Sequence, residues 1–323
     1  MRLISSFPCI AGILIVIGLW LWGLFFSSEN TEQAAVTRAG DYKRIIYATY
    51  LSQPVECQNY TVSDFYSSAD PYFDATRILT YQILHAPETR TRLNIEFVVF
   101  VHENVDQDKR SILTSDGAQI VETADFRAEW IRPKDQRWAD AQTKIRLWQM
   151  TQYDLIVFLD ADSVLTRSID YFLDDLKTNG MEIPLPERYI LAGVPQLRPN
   201  HSSNPLRVPE DYWDKETLNT GFMILQPSLE LFRYLEAVMI VENSFDGSIA
   251  DQSVLNFVFS PLGPIPWINV NDSWNIQWPW SADIKAGYAV LHEKWWAPMH
   301  WETRDYFLSW YWRMVGYQDT RIR

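Results

Sequence analysis

Hydrophobic and polar positions divide the chain into stretches of different character. Residues 7–26 are apolar apart from Pro8, Cys9 and the glycines, and no charged side chain occurs between residues 3 and 28. About 20 such residues suffice to cross the hydrocarbon core of a bilayer as a helix. The run is longer than the apolar core of a cleaved signal peptide, about 7 to 15 residues. It ends on Trp20 and Trp22, where interfacial aromatics lie, and Ser27, Ser28, Glu29 and Asn30 follow instead of a small-x-small cleavage site. These features predict a retained transmembrane anchor at residues 7–26 behind a short tail at 1–6, with a cleaved signal peptide as the alternative. Arg2 precedes the span and Glu29 and Glu32 follow it. The positive-inside tendency therefore leaves the rest of the chain outside the cytosol, a single-pass type II topology. Residues 27–43 are polar and aperiodic and read as a stem.

From residue 44 onward short apolar runs alternate with helical spacing. Residues 44–51, 95–101 and 155–159 are Val- and Ile-rich runs of strand length, with a further strand near 119–121. Between them, Phe73, Ile78, Tyr81 and Leu84 predict a helix over 70–85, and residues 107–115 predict a polar one. Trp138, Ala141, Ile145 and Trp148 recur at spacings of three and four and predict another. Continuously apolar strands alternating with amphipathic helices argue for a mostly parallel sheet covered on both faces, an open α/β, Rossmann-like fold. Further on, residues 190–194 and 222–225 read as strands and 228–242 and 249–259 as helices. The aperiodic stretch 195–215 between those strands is long enough to be a functional or mobile loop. From residue 261 the chain is dense in Trp and Pro and has little periodicity. No repeat or composition shift divides residues 44–323, which are expected to form a single domain.

Composition narrows the class. Of 323 residues, 28 are Lys or Arg and 41 Asp or Glu, a net charge of −13, and 15% are aromatic. A chain this apolar is not disordered, and one this acidic is not a general nucleic-acid binder. With two cysteines, Cys9 inside the predicted span and Cys57 beyond it, no disulfide framework is available. Three N-x-S/T sequons, at Asn59, Asn200 and Asn271, agree with a lumenal domain.

The most informative chemistry lies where the 155–159 run ends in Asp160-Ala161-Asp162-Ser163. Ligands of open α/β sheets bind outside the carboxyl ends of the strands. Two carboxylates at i and i+2 there can converge on one hard divalent cation. The plainer alternative is a polar strand end whose acids cap turns. The context favours the cation. Residues 143–162, including Lys144 and the Asp-x-Asp, resemble the core signature of glycosyltransferase family 8, the glycogenin-like retaining transferases with a GT-A fold. So do Leu218-Asn219-Thr220-Gly221, Ala250-Asp251-Gln252-Ser253 and Val290-Leu291-His292, in the family's order, across residues 44 to about 300.

The resemblance implies a UDP-sugar donor and a divalent ion, Mn2+ with Mg2+ as the alternative, held by Asp160, Asp162 and His292. It places Lys144 against the nucleotide sugar, Asn219, Asp251 and Gln252 along the donor sugar, and Ala48 and Thr49 at the end of the first strand, where the uridine pocket begins. The chain departs from the family in reading His-Glu-Lys-Trp-Trp where a Lys-Pro-Trp triplet usually follows the histidine several residues later. Lys294 is the candidate for that lysine's role, and Thr220 replaces a smaller residue.

Nine of the 15 tryptophans follow Pro266. They pack the C-terminal segment, or, as for Trp278 and Trp280, stack on acceptor sugars. The expected protein is a membrane-anchored, fungal-type transferase of the Golgi or secretory pathway. It moves a hexose or N-acetylhexosamine to a glycan, glycoprotein or glycolipid. The alternatives are a self-glucosylating primer using Tyr311 or Tyr317, and a non-catalytic nucleotide-sugar or glycan binder.

Overall fold

The fold is taken from a computed structural model, which describes residues 44–52, 60–63, 66–172 and 191–322. The expected tail, anchor and stem (1–6, 7–26 and 27–43), both cysteines and Asn59 lie outside the described residues. Among the described residues no helix is long and apolar enough to cross a membrane. The sequon asparagines Asn200 and Asn271 are both exposed.

The apolar runs pair into one seven-stranded sheet. Its strands are β1 (Ile45–Leu51), β4 (Glu96–His102), β5 (Gln119–Thr123), β6 (Leu155–Leu159), β8 (Leu191–Pro195), β9 (Leu218–Leu225) and β10 (Ile268–Asn269). They are ordered β10-β8-β9-β6-β1-β4-β5. A separate two-stranded pair, β2 (Tyr60–Ser63) and β3 (Tyr66–Ser68), lies outside it. β1 pairs parallel with both β4 and β6, and β4 with β5. Successive side chains of a strand face opposite sides, and here both sides are buried. Ile46, Ala48, Ile156 and Phe158 enter one core; Tyr47, Leu51, Leu155 and Val157 enter the other. That is why these strands read as continuous apolar runs instead of alternating ones.

The sheet departs from the expectation in one direction. β9 runs antiparallel to both β6 and β8, with Phe222 opposite Leu159, and it begins four residues earlier than its apolar part suggests. Its amino-terminal half, containing Asn219, Thr220 and Gly221, is polar and wholly buried. Because β9 is reversed, that half lies beside the carboxyl end of β6, and the Asp160 N–H donates to the Gly221 carbonyl over 2.8 Å.

The helices α1 (Pro71–Leu84) and α2 (Gln107–Asp116) cover one side of the sheet, and α3 (Leu229–Ile240) and α4 (Ala250–Val258) the other. The Asp70 side chain caps the start of α1 by accepting the Phe73 N–H, and Pro71 occupies the first helical position. The predicted helix around Trp148 forms as a run of tighter 3₁₀ turns over Gln136–Gln149. Three residues per turn shift its buried face onto Ala139, Gln142, Thr143, Ile145, Leu147 and Trp148, and leave Trp138 exposed.

The C-terminal region is more regular than its composition suggests. It contains α5 (Ser281–Lys285) and the 19-residue helix α6 (Arg304–Ile322). Phe307, Trp310, Tyr311 and Met314 of α6 follow i, i+3, i+4, i+7 spacing and pack with Ala75, Ile78 and Tyr81 of α1. A second, three-stranded sheet joins β11 (Ile276–Gln277), β12 (Val290–His292) and β7 (Ser163–Leu165). In it His292 pairs with Ser163 across antiparallel strands, so a residue 130 positions downstream is locked beside Asp162.

Candidate active site

Asp160 and Asp162 occupy the tight turn between β6 and β7, where the Ser163 N–H donates to the Asp160 carbonyl over 3.0 Å. The β7–β12 ladder then delivers His292. One ligand atom from each of Asp160, Asp162 and His292 lies within 4.8 Å of the other two. His292 Nε2 is 3.3 Å from Asp162 Oδ1 and 3.8 Å from Asp160 Oδ2. Two carboxylates and an imidazole nitrogen form a donor set suited to Mn2+. The space is reserved by a missing side chain: a Cβ on Gly221 would lie 2.1 Å from His292 Cε1 and 2.3 Å from Nδ1.

Cations converge on the same acids. Lys144, on the buried face of the 3₁₀ run, places Nζ 2.6 Å from Asp160 Oδ1 and 3.4 Å from Asp251 Oδ2. Lys294 Nζ is 3.7 Å from Asp162 Oδ2. Burial would favour the neutral form of Asp162, but His292, Lys294 and Lys144 outweigh it and hold the carboxyl well below the usual range. Burial likewise opposes a charge on His292, and Asp162 and Asp160 reverse that and raise its pKa. Burial also opposes a charge on Lys144, and Asp160 with Asp251 raises its pKa. Asp251 differs: burial raises its carboxyl, and Lys144 offsets this in part.

Asp251 lies in the first turn of α4, directly after Ala250. Ala250 has φ 46°, one of three non-glycine residues with positive φ among those described. The Thr220 hydroxyl donates to Asp251 Oδ2 over 2.8 Å. The residue that departs from the family pattern therefore holds the acid in place, on the same oxygen that faces Lys144. The Thr220 N–H donates to Gln252 Oε1 over 3.3 Å. Asp251 caps no helix; the cap position belongs to Ile249.

Ala48 and Thr49 lie beside the carboxyl-terminal part of β6, where Ala48 pairs with Phe158. β1 continues two residues past Thr49, so Ala48 and Thr49 are inside the sheet and not at the strand's end. Ala48 is a core residue, and the buried Thr49 hydroxyl has no hydrogen-bond partner among the described residues.

A set of amides not anticipated from sequence surrounds the site. Asn275 Oδ1 faces His292 Nδ1 at 3.1 Å, and Asn275 Nδ2 donates to Asn219 Oδ1 over 2.7 Å. Asn219 Nδ2 and Gln252 Nε2 both donate to Gln196 Oε1, over 2.8 and 3.0 Å. Gln196 Nε2 donates to Gln277 Oε1 over 3.3 Å. Glu293, also unanticipated, accepts the N–H groups of Lys294 and Met299 over 2.8 and 3.0 Å and shapes the turn that carries Lys294. Polar residues that stay buried in an otherwise aromatic segment, such as Asn275 and Gln277 beside Trp274 and Trp278, were the available signal.

Of the late tryptophans, Trp267, Trp274, Trp295, Trp296 and Trp310 are buried in packing. Trp280 stacks on the His300 ring with centroids 3.4 Å apart and donates its indole N–H to the His201 carbonyl over 3.2 Å. Trp278, with φ 50°, donates its backbone N–H to the His292 carbonyl over 3.2 Å. Tyr311 is buried against Trp295, and Tyr317 stacks on His85, so both tyrosines are engaged in the packing of α6.

No family model matches the chain. It is 25% identical to an uncharacterized protein of Schizosaccharomyces pombe over 333 residues, 90% of this chain and 81% of that one. It is 28% identical to UDP-glucuronate:xylan alpha-glucuronosyltransferase 1 of Arabidopsis thaliana over 53% of this chain and 21% of that one. With human glycogenin-1 the identity is 30%, over 36% of this chain and 25% of that one. Among solved structures, an active-site mutant of LgtC superposes with a TM-score of 0.50 at 14% identity, over 82% of this chain and 94% of that one, and the glycosyltransferase GlyE of Streptococcus pneumoniae with a TM-score of 0.50 at 13% identity, over 86% of this chain and 64% of that one. The reversed β9, the Asp-x-Asp turn and a histidine returned to it by a second small sheet thus occur in a chain whose relatives include glycogenins and xylan glucuronosyltransferases, transferases of family 8, and whose parallel-rich sheet matches the GT-A fold.

Proposed function

We propose that this glycosyltransferase is metal-dependent and retaining, and moves a hexosyl or N-acetylhexosaminyl unit from a UDP-sugar to a glycan, glycoprotein or glycolipid. The observation that carries this reading is the convergence of Asp160, Asp162 and His292 within 4.8 Å beside Lys144 and Asp251. A divalent ion held by the first three would neutralise charge on the departing diphosphate. Lys294, already drawn toward Asp162, places a further positive charge on that side. Asp251, held on Oδ2 by Thr220 and Lys144, keeps Oδ1 for a sugar hydroxyl, and Gln252 and Asn219 line the same donor end. The family resemblance implies attack by the acceptor hydroxyl from the face that UDP leaves, with retention at the anomeric carbon. The apolar run at 7–26 and Arg2 before it support a type II anchor in a Golgi or secretory-pathway membrane, with the catalytic domain lumenal.

A donor panel of UDP-Glc, UDP-Gal, UDP-GlcNAc, UDP-Xyl and UDP-GlcA with Mn2+, scored for UDP release, tests the activity without knowledge of the acceptor. One donor is expected to dominate and to lose its turnover with EDTA. Equal UDP release with and without chelator would refute metal dependence. Intact-mass analysis of the same reactions is expected to find no added sugar on the protein, because Tyr311 is buried against Trp295 and the ring of the partly buried Tyr317 is stacked on His85. Sugar on either tyrosine would restore the self-priming alternative.

Gly221→Ala addresses the cradle. The added methyl cannot coexist with the His292 ring at 2.1 Å, and the imidazole must turn away from the acids. Mn2+ affinity is expected to fall at least about tenfold, as when the support of a ligating histidine is lost, measured by electron paramagnetic resonance of free Mn2+. Unchanged affinity would show that His292 is not a ligand.

A further inference from the structure

We infer that Asn275 is a positioning residue that fixes the proton of His292 on Nδ1, so that Nε2 is the nitrogen left to share an ion with Asp160 and Asp162. The inference rests on the metal-binding reading of the site for its consequence, and on hydrogen-bond polarity for its content. An imidazole can bind a metal only through an unprotonated nitrogen, and the partner of its other nitrogen decides which one that is.

Side-chain amides can be turned end for end, so the polarity of such a chain has to start from a group that cannot be reversed. A backbone N–H supplies it. The Gly221 N–H donates to the Asn219 side chain over 3.0 Å, which requires the oxygen of Asn219 on that side. Asn275 lies 2.7 Å from the same oxygen and must present its nitrogen there. Its own oxygen is thereby left toward His292 Nδ1, 3.1 Å away. An amide oxygen only accepts, so Nδ1 must carry the proton.

The far end of the chain is anchored in the same way. The Leu197 N–H donates to Gln277 Oε1 over 2.6 Å, so Gln196 turns its nitrogen to Gln277 and its oxygen to Asn219 and Gln252. The Thr220 N–H then meets the oxygen of Gln252. Three backbone donors, at Leu197, Thr220 and Gly221, agree on one polarity for Gln277, Gln196, Gln252, Asn219 and Asn275. Reversing Asn275 alone would set its nitrogen against His292 and its oxygen against that of Asn219. Both Asn275 and Gln277 are buried, so such a mismatch would leave desolvated polar groups unpaired. The orientation of the imidazole is thus inherited, through side chains, from the backbone of β9.

Two measurements test this. Long-range 1H–15N spectra of the full chain saturated with the diamagnetic ion Zn2+ report which ring nitrogen of each of its five histidines is bound and which carries the proton, with His292 assigned by its loss in His292→Gln. An ion on Nε2 and a proton on Nδ1 are expected; an ion on Nδ1 would overturn the inference whether or not Asn275 variants fold. In folded Asn275→Leu, which has no acceptor for Nδ1–H, Mn2+ affinity by paramagnetic resonance is expected to weaken about 10- to 100-fold. Wild-type affinity in that variant would also overturn the inference. Absence of Mn2+ binding by the unaltered chain would instead sink the metal reading, while a His292 Nδ1 without a proton in the metal-free chain would by itself overturn the role of Asn275.

Discussion

The double variant Asp160→Ala, Asp162→Ala is expected to release UDP from its preferred donor on the order of a thousandfold more slowly than the unaltered chain, and to gain nothing from added Mn2+. Two of the three candidate ligands are anionic, and His292 alone cannot hold a hard divalent ion. The fold is expected to survive, because the site contributes little to the core. Lys144 keeps Asp251 as a partner 3.4 Å away, and the antiparallel pairing of His292 with Ser163 is made by backbone. Cooperative unfolding by circular dichroism, together with UDP release, checks both halves. Full activity in the folded double variant would remove the Asp-x-Asp turn from the mechanism.

The largest effect on stability is expected from Asp283→Ala. Arg207, in the long loop before β9, pairs with Asp283 of α5, and their side chains are 2% and 0% exposed. Arg207 Nη1 also donates to the carbonyls of Ser202 and Asn204 over 2.7 and 2.8 Å, and the Trp280 N–H donates to Asp283 Oδ2 over 2.9 Å. The loop expected to be functional or mobile is therefore clamped, at Arg207, to the C-terminal segment. Deleting one partner leaves a guanidinium buried without its counter-charge, which costs about 3 to 5 kcal/mol. Replacing both, as in Arg207→Met with Asp283→Leu, is expected to recover most of that, since no charge then remains buried. Urea unfolding of the three proteins measures it. A single variant as stable as the parent would mean that the pair is solvated.

The central strands were legible because their residues are buried on both faces and so form unbroken apolar runs, and α1 because its cap, its Pro71 and its spacing agree. The Asp-x-Asp was legible as the polar end of such a run. The helix α6 was not read, although Phe307, Trp310, Tyr311 and Met314 keep helical spacing, because neighbouring aromatics on its other faces blur the stripe. The 3₁₀ geometry of Gln136–Gln149 was also missed, since spacings of three and four fit either helix.

Local pattern depends on the burial of each residue and its near neighbours, so the α/β layering, the end of β6 and the motif residues could be found from residue order alone. The direction of β9, the arrival of His292 beside Asp162 and the clamp between Arg207 and Asp283 depend on pairs separated by dozens of positions. No local propensity encodes such a pairing; it is chosen when the whole chain buries its apolar faces at once. Gly221 shows the difference most plainly. In the linear chain it is a small residue in a strand, and only the imidazole returned by β12 makes the absence of its side chain a requirement of the site.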